Sequence, residues 1–294
     1  MIRTMHFRRQ RIRTNGVGIE CVVAGQGPPV LMLHGYPQTH SMWHRVAPEL
    51  ARDFSVICPD LRGYGDSSKP PGLDDHGNYS KRTLAQDMVG VMDALGHETF
   101  HLVGHDRGGR VAHRLARDHG SRVRSLTVID ISPTLKMYAS TDMAFARAYY
   151  HWFLFIQPAP LPETMIAAAG LQGIFARMGA ATGSRGSVFA PRALKEYRRC
   201  FTASMIHASC EDYRASAGID LEHDRADAAR KLAMPLLAIW GTRGVVGRMF
   251  DCVADWREVA DDVRGLALDS GHFVPEERSR EVARAIREFT ARCA

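Results

Sequence analysis

Gly104-His105-Asp106-Arg107-Gly108-Gly109 joins two segments of different character. Before it, residues 100–103 (FHLV) open a short buried-strand run. After it, residues 107–119 read as a helix. A tight strand-to-helix turn needs small flanking residues, and it projects the side chain at its tip from the carboxyl end of the sheet, where open α/β sheets bind ligands. The helix that follows aims its free N–H groups at negative charge developing there. Asp106 thus stands where a nucleophile stands in the small-x-nucleophile-x-small elbow, with Asp in place of Ser. Taken alone, the segment also suits an ordinary Gly-rich turn capped by Asp106.

Outward from the elbow, the chain keeps an α/β rhythm. Residues 17–23 alternate like an early strand, with Val17, Ile19, Cys21 and Val23 on one face. Continuous apolar runs at 29–33 (PVLML), 54–58 and 125–129 predict further buried strands, and 84–95 has helical periodicity. Between 133 and 224 no buried β-run appears, and the stretch is rich in Ala, Met and aromatics. Strands return at 235–240 (PLLAIW) and 263–268, followed by a final helix near 281–293. This order predicts the α/β-hydrolase fold: a mostly parallel central sheet flanked by helices, with a core of 1–133 and 225–294 and a helical cap of 134–224. The basic stretch 1–14 reads as a solvated arm.

Two loops supply partners for Asp106. His34-Gly35-Tyr36-Pro37 follows a buried strand and offers the N–H of Tyr36, beside the N–H of Arg107, as an oxyanion hole. Ser270-Gly271-His272-Phe273 follows the last strand, which makes His272 the base in the order nucleophile, acid, histidine. The loop 241–247 after the penultimate strand has no carboxylate, so the acid is Asp130, at the end of the strand after the elbow helix. A carboxylate nucleophile is suited to saturated carbon. It forms an alkyl ester that His272-activated water then hydrolyses, and alkyl halides and epoxides are the two substrate classes that fit.

His34-Gly35-Tyr36-Pro37-Gln38, residues 60–67 (DLRGYGDS), 104–110 (GHDRGGR) and 219–224 (IDLEHD) resemble the haloacetate (fluoroacetate) dehalogenases over nearly the whole chain. Arg107 and Arg110, three apart on one helix, share a face and can clamp a substrate carboxylate. The resemblance implies a halide pocket of His151, Trp152 and Tyr213, three N–H or O–H donors, and a homodimer. It also implies a further cap Trp that this chain lacks: 178–183 reads MGAATG, which predicts room for bulkier 2-haloacids. The expected function is hydrolysis of small 2-haloacids to 2-hydroxyacids and halide. Epoxide hydrolysis by the same Asp106/His272/Asp130 set is the alternative, and a non-enzymatic binding protein on the same fold is a third reading.

Composition agrees with an enzyme of this kind. The chain has 294 residues, 45% hydrophobic and 24% charged, without an apolar run long enough to span a membrane. Its net charge of +6 is scattered apart from Arg8, Arg9, Arg11 and Arg13, so an anionic substrate is expected and nucleic acid is not. Six dispersed cysteines without a CxxC pair and no signal-peptide pattern predict reduced thiols in the cytoplasm. No cofactor is expected. Glu222-His223-Asp224 does not make a metal site, because three consecutive side chains do not converge on one ion, and no GxGxxG motif is present.

Overall fold

Strands that lack polar alternation need cover on both faces, and the sheet is built to provide it. The computed structural model describes residues 7–182 and 188–293, the side chains of 180–182 excepted. Its strands are β1 (Arg8–Thr14), β2 (Val17–Ala24), β3 (Pro29–Leu33), β4 (Ser55–Pro59), β5 (Phe100–His105), β6 (Val123–Ile129), β7 (Leu236–Gly241) and β8 (Val263–Leu268). They form one sheet in the order β1-β2-β4-β3-β5-β6-β7-β8. β1 and β2 pair antiparallel, as do β2 and β4, and the remaining pairs are parallel. β5 is buried along its whole length, whereas β8, at one edge, is half exposed.

The predicted N-terminal arm is corrected in part. Residues 1–6 lie outside the described residues, but 8–14 form edge strand β1. Asn15 (φ 46°) and Gly16 (φ 76°) make the two-residue turn that pairs Thr14 with Val17. The outward arginines hide the strand's alternation, and they also protect an exposed sheet edge from pairing with another chain.

Three helices lie near the site on the core side. Helix α1 (Ala47–Leu50) follows the His34–Gln38 loop, α2 (Lys81–Ala94) packs beside α3 (Arg107–Asp118), and α3 starts at the elbow. Seven helices fill the chain between β6 and β7: α4 (Thr134–Ala139), α5 (Met143–Ala148), α6 (Tyr150–Phe155), α7 (Leu161–Thr182), α8 (Pro191–Cys200), α9 (Ala203–Ala217) and α10 (Ile219–Ala226). Among the described residues no strand interrupts them. Helix α7 is kinked at Gly170 (φ 63°, ψ 168°). After β7 and β8 come α11 (Val245–Met249), α12 (Cys252–Arg257), α13 (Val274–Glu277) and α14 (Ser279–Thr290). No described helix is long and apolar enough to cross a membrane.

The helical segment contributes an aromatic layer to the core. Phe155 meets Tyr36 edge-on with ring centroids 5.5 Å apart and Tyr213 at 5.0 Å, and Phe145 meets Trp152 at 5.7 Å. Edge-to-face contacts of this kind add about 0.5–1.5 kcal/mol each beyond the area they bury. Cys58 and Cys210 are buried, as read from the sequence, and the six cysteines are free thiols.

Candidate active site

Asp106 follows the last residue of β5 with φ 47° and ψ −118°, a conformation L-residues rarely adopt. The glycines around it are required by space. A Cβ on Gly104 would lie 2.6 Å from Gly109 Cα, and one on Gly35 would lie 2.7 Å from Asp106 Cβ. The absent Gly35 side chain lets the 34–38 loop approach the nucleophile, where the Tyr36 N–H donates to Asp106 Oδ2 at 3.0 Å. His34 braces that loop: its Nδ1 donates to the Gly35 carbonyl and its Nε2 accepts from the Leu61 N–H, both at 3.0 Å. The Arg107 N–H, at the start of α3, donates to no described residue. Burial raises the Asp106 pKa, but the charges of His272, Arg107 and Arg110 outweigh it and hold the carboxyl below the ordinary value. Asp106 is therefore ionised.

Asp130 and His272 meet although 142 positions separate them. His272 Nδ1 donates to Asp130 Oδ2 at 2.7 Å, and the Gly241 N–H donates to the other oxygen, Oδ1, at 3.0 Å. Burial lowers the His272 pKa, but the Asp130 bond and the charges of Asp130, Asp106 and Glu277 raise it above the ordinary value overall. The loop after β7, which lacks its own carboxylate, thus contributes a backbone donor to the carboxylate at the end of β6.

The two arginines are both buried but differently partnered. Arg107 Nε donates to Asp212 Oδ2 at 2.7 Å, and its Nη2 donates to the Asp212 carbonyl at 2.8 Å and to Ser216 Oγ at 2.6 Å. Tyr213 covers one face, with the guanidinium carbon 4.0 Å from the ring centroid. Nη1 alone is buried without a partner. Asp212 also accepts from Lys81 Nζ and from the Tyr64 hydroxyl, so the charge of Arg107 is already balanced. Arg110 has no carboxylate partner among the described residues. Its Nη1 donates to Thr134 Oγ1 at 2.9 Å, its Nη2 lies 3.2 Å from Met137 Sδ, and its Nε is buried and unpartnered. Trp152 lies beneath it, 4.7 Å from ring centroid to guanidinium carbon. Burial, with Arg107 close by, depresses the Arg110 pKa.

His151, Trp152 and Tyr213 converge from α6 and α9. The His151 and Tyr213 rings lie 6.0 Å apart. Burial drives the His151 pKa down to about 4, so the ring is neutral and offers one N–H. Neither its ring nitrogens, the Trp152 indole N–H nor the Tyr213 hydroxyl has a hydrogen-bond partner among the described residues. The Tyr213 ring also lies 5.9 Å from the ring of Tyr36, whose N–H bonds Asp106.

Sequence reasoning gave no haloacid role to three residues here, although it counted Tyr138 among the tyrosines available to an epoxide hydrolase. Asp212 precedes Tyr213 and holds Arg107 from the same helix turn. The Tyr138 hydroxyl is buried without a partner, within the fields of Arg107 and Arg110, and its ring lies 4.9 Å from Trp152. His105 bonds the backbone of His272. Only Asp212 left a signal, as an acid beside a predicted site residue.

Other marked segments are structural. Arg62 of the 60–67 stretch pairs with buried Asp87 through two bonds of 2.8 and 2.7 Å, and Asp224 accepts from Arg114 at 2.9 Å. In the 178–183 stretch, the side chains of 180–182 and all of residue 183 lie outside the described residues. A cleft of about 580 Å³ beside Arg117, Arg124 and Arg230 lies at the amino ends of β6 and β7, away from Asp106.

Comparison with known proteins agrees with this geometry. The α/β hydrolase fold family matches residues 28–278. A fluoroacetate dehalogenase from Burkholderia sp is 46% identical over 96% of this chain and 93% of its own. A soluble epoxide hydrolase from Corynebacterium sp. (strain C12) is 35% identical over 94% and 95%. A solved structure from Nostoc sp PCC 7120, described as an α/β hydrolase, superposes with a TM-score of 0.94 at 53% identity, covering 97% of this chain and 98% of that one. With an elbow aspartate, an Asp–His pair and two arginines where the resemblance places them, the chain belongs to the α/β-hydrolase fold and, within it, to the haloacetate dehalogenase family.

Proposed function

We propose that this protein hydrolyses small 2-haloacids, fluoroacetate among them, to 2-hydroxyacids and halide. The observation that carries the reading is Arg110, a buried cation with no carboxylate partner among the described residues, near an ionised Asp106. Asp106 offsets this charge only through space, and a substrate carboxylate bound to Arg110 and to Arg107 Nη1 would pair it directly. That contact would set the halogenated carbon against Asp106.

In the first step a carboxylate oxygen of Asp106 attacks that carbon. A C–O ester bond forms, the C–X bond breaks, and its electron pair leaves with the halide. His151, Trp152 and Tyr213 donate to the departing ion. In the second step His272 Nε2 takes a proton from water, and the resulting hydroxide adds to the ester carbonyl of Asp106. The N–H groups of Tyr36 and Arg107 stabilise the oxyanion. Its collapse breaks the ester C–O bond and expels the hydroxyacid oxygen, which takes the proton back from His272, and the Asp106 carboxylic acid then releases its own proton to solvent to restore the carboxylate. Asp130 holds the imidazole tautomer throughout. No cofactor takes part in either step.

Residues 134–224 act as a cap that shuts this chemistry off from water, the protein works in the cytoplasm, and it forms a homodimer. The epoxide hydrolase relative and the Tyr138 hydroxyl, buried without a partner among the described residues, support a second reading, epoxide opening. An epoxide has no carboxylate for Arg110, which favours the haloacid.

Halide release from fluoroacetate, chloroacetate and 2-chloropropionate, measured by ion chromatography with Asp106→Ala as the blank, tests the proposal. Fluoride released by the wild type alone supports it. No halide from any of the three, with turnover of styrene oxide, replaces it by the second reading.

A further inference from the structure

His105 closes β5 immediately before the nucleophile and is fully buried. Its Nε2 lies 2.9 Å from the backbone carbonyl oxygen of His272. A carbonyl only accepts, so Nε2 carries the proton and Nδ1 is bare. Nδ1 is buried and has no partner among the described residues. Burial and the neighbouring His272 push the His105 pKa down to about 3, which keeps the ring neutral and this tautomer in place. The two rings lie 4.7 Å apart at 41°.

The His272 carbonyl lies in the loop between β8 and α13, and no backbone N–H among the described residues donates to it. His105 is the donor that the structure supplies. A packing role at this position would suit an apolar side chain, which leaves no nitrogen stranded, whereas a buried nitrogen without a partner is destabilising. The bare Nδ1 accompanies an Nε2–H that reaches the main chain of the base.

We propose that His105 is a positioning residue for the base: its Nε2–H anchors the His272 carbonyl, so that the imidazole is held between Asp130 and the ester on Asp106. The anchor comes from the strand that carries the nucleophile, so base and nucleophile are located from one element. This rests on the two-step reading above, in which His272 acts as base only when the ester is hydrolysed. Loss of the anchor therefore slows ester hydrolysis and spares ester formation. A misplacement of about 1 Å at such a site costs on the order of 100-fold.

The test uses chloroacetate and the intact enzyme in rapid-quench experiments. The first chloride release gives the rate of ester formation, and the intact mass of the quenched protein follows ester decay. His105→Leu removes the donor, His105→Gln places an amide N–H near the Nε2 position, and His105→Asn cannot reach it. The expected result is wild-type ester formation in all three, with ester decay about 100-fold slower in the Leu and Asn variants and largely restored in the Gln variant. Equal slowing of both steps overturns the proposal, as does equal ester decay in the Gln and Asn variants, a comparison that stands if the Leu variant fails to fold. A wild-type enzyme that releases no halide overturns the dehalogenase reading and this proposal with it.

Discussion

Arg110 rests on the indole of Trp152, its guanidinium carbon 4.7 Å from the ring centroid. This contact joins the two halves of the proposed substrate site, because Arg110 would hold the carboxylate and Trp152 would face the departing halide. A cation on an aromatic face gains about 0.5–2 kcal/mol, less than the cost of burying a charge without a counterion.

Arg110 should therefore lower the stability of the empty protein while it supports turnover. Arg110→Met is expected to melt at or above the wild-type temperature without ligand, and to lose about 30- to 1000-fold in kcat/KM for chloroacetate, the equivalent of about 2–4 kcal/mol. A carboxylic acid product such as glycolate should raise the melting temperature of the wild type and leave that of the variant unmoved. Calorimetry alongside chloride release checks both halves, and a variant that melts well below the wild type counts against the strained-cation account.

Arg107 is already balanced by Asp212, so its substitution should behave differently. Arg107→Met leaves Asp212 with Lys81 and Tyr64 but strips away its buried guanidinium. Breaking a buried pair costs about 3–5 kcal/mol, so this variant should melt several degrees lower as well as lose activity. Parallel melting curves of the Arg107→Met and Arg110→Met variants should diverge in opposite directions.

The pH dependence of ester hydrolysis should follow His272, which must be neutral to take a proton from water. Its pKa is raised above the ordinary value, with Asp130 and Asp106 among the causes. Hydrolysis should fall as pH drops through that raised pKa. In the ester the Asp106 charge is gone, so the remaining elevation depends chiefly on Asp130, with a smaller share from Glu277. Asp130→Asn should move the acid limb to lower pH and, by freeing the imidazole tautomer, cut the plateau by about 10⁴-fold. A limb that stays in place when single-turnover ester decay is followed across pH would remove Asp130 from this role.

Fluoride needs its donors more than chloride does. Tyr213→Phe removes one hydroxyl and keeps the ring over Arg107. Fluoride release should fall about 5- to 30-fold more than chloride release, as expected for one hydrogen bond to a developing anion. Equal losses for the two halides would place the hydroxyl elsewhere in the chemistry.

The short MGAATG stretch bears on substrate size. With no indole there, 2-chloropropionate should be turned over within about tenfold of chloroacetate, since an added methyl in a pocket with room for it changes binding by about 1 kcal/mol. Chloroacetate turnover with no detectable turnover of 2-chloropropionate would show the space to be closed.

The readings that held from sequence are those with a local physical cause. The apolar run at 29–33 matches β3 residue for residue, because burial on both faces is written into consecutive side chains, and the strand expected at 263–268 matches the half-exposed edge strand β8. The elbow was legible because its turn tolerates only small residues around Asp106. The edge strand 8–14 was missed because its arginines obscure the alternation, although Asn15-Gly16 marked the turn.

Partnership between distant residues was decided by the tertiary structure. Spacing places Arg107 and Arg110 on one helix face, but only the packing of α9 against α3 leaves one balanced by Asp212 and the other without a counterion. The composition of α9 does not say which of its two buried acids, Glu211 or Asp212, meets Arg107. Likewise, His105 was read as the spacer residue of an elbow motif, and its bond to His272 exists because β5 and the loop after β8 lie at the same carboxyl end of the parallel strands. Residue types and local order are properties of neighbours in the chain; charge balance and hydrogen-bond partnership depend on contacts between residues far apart in it.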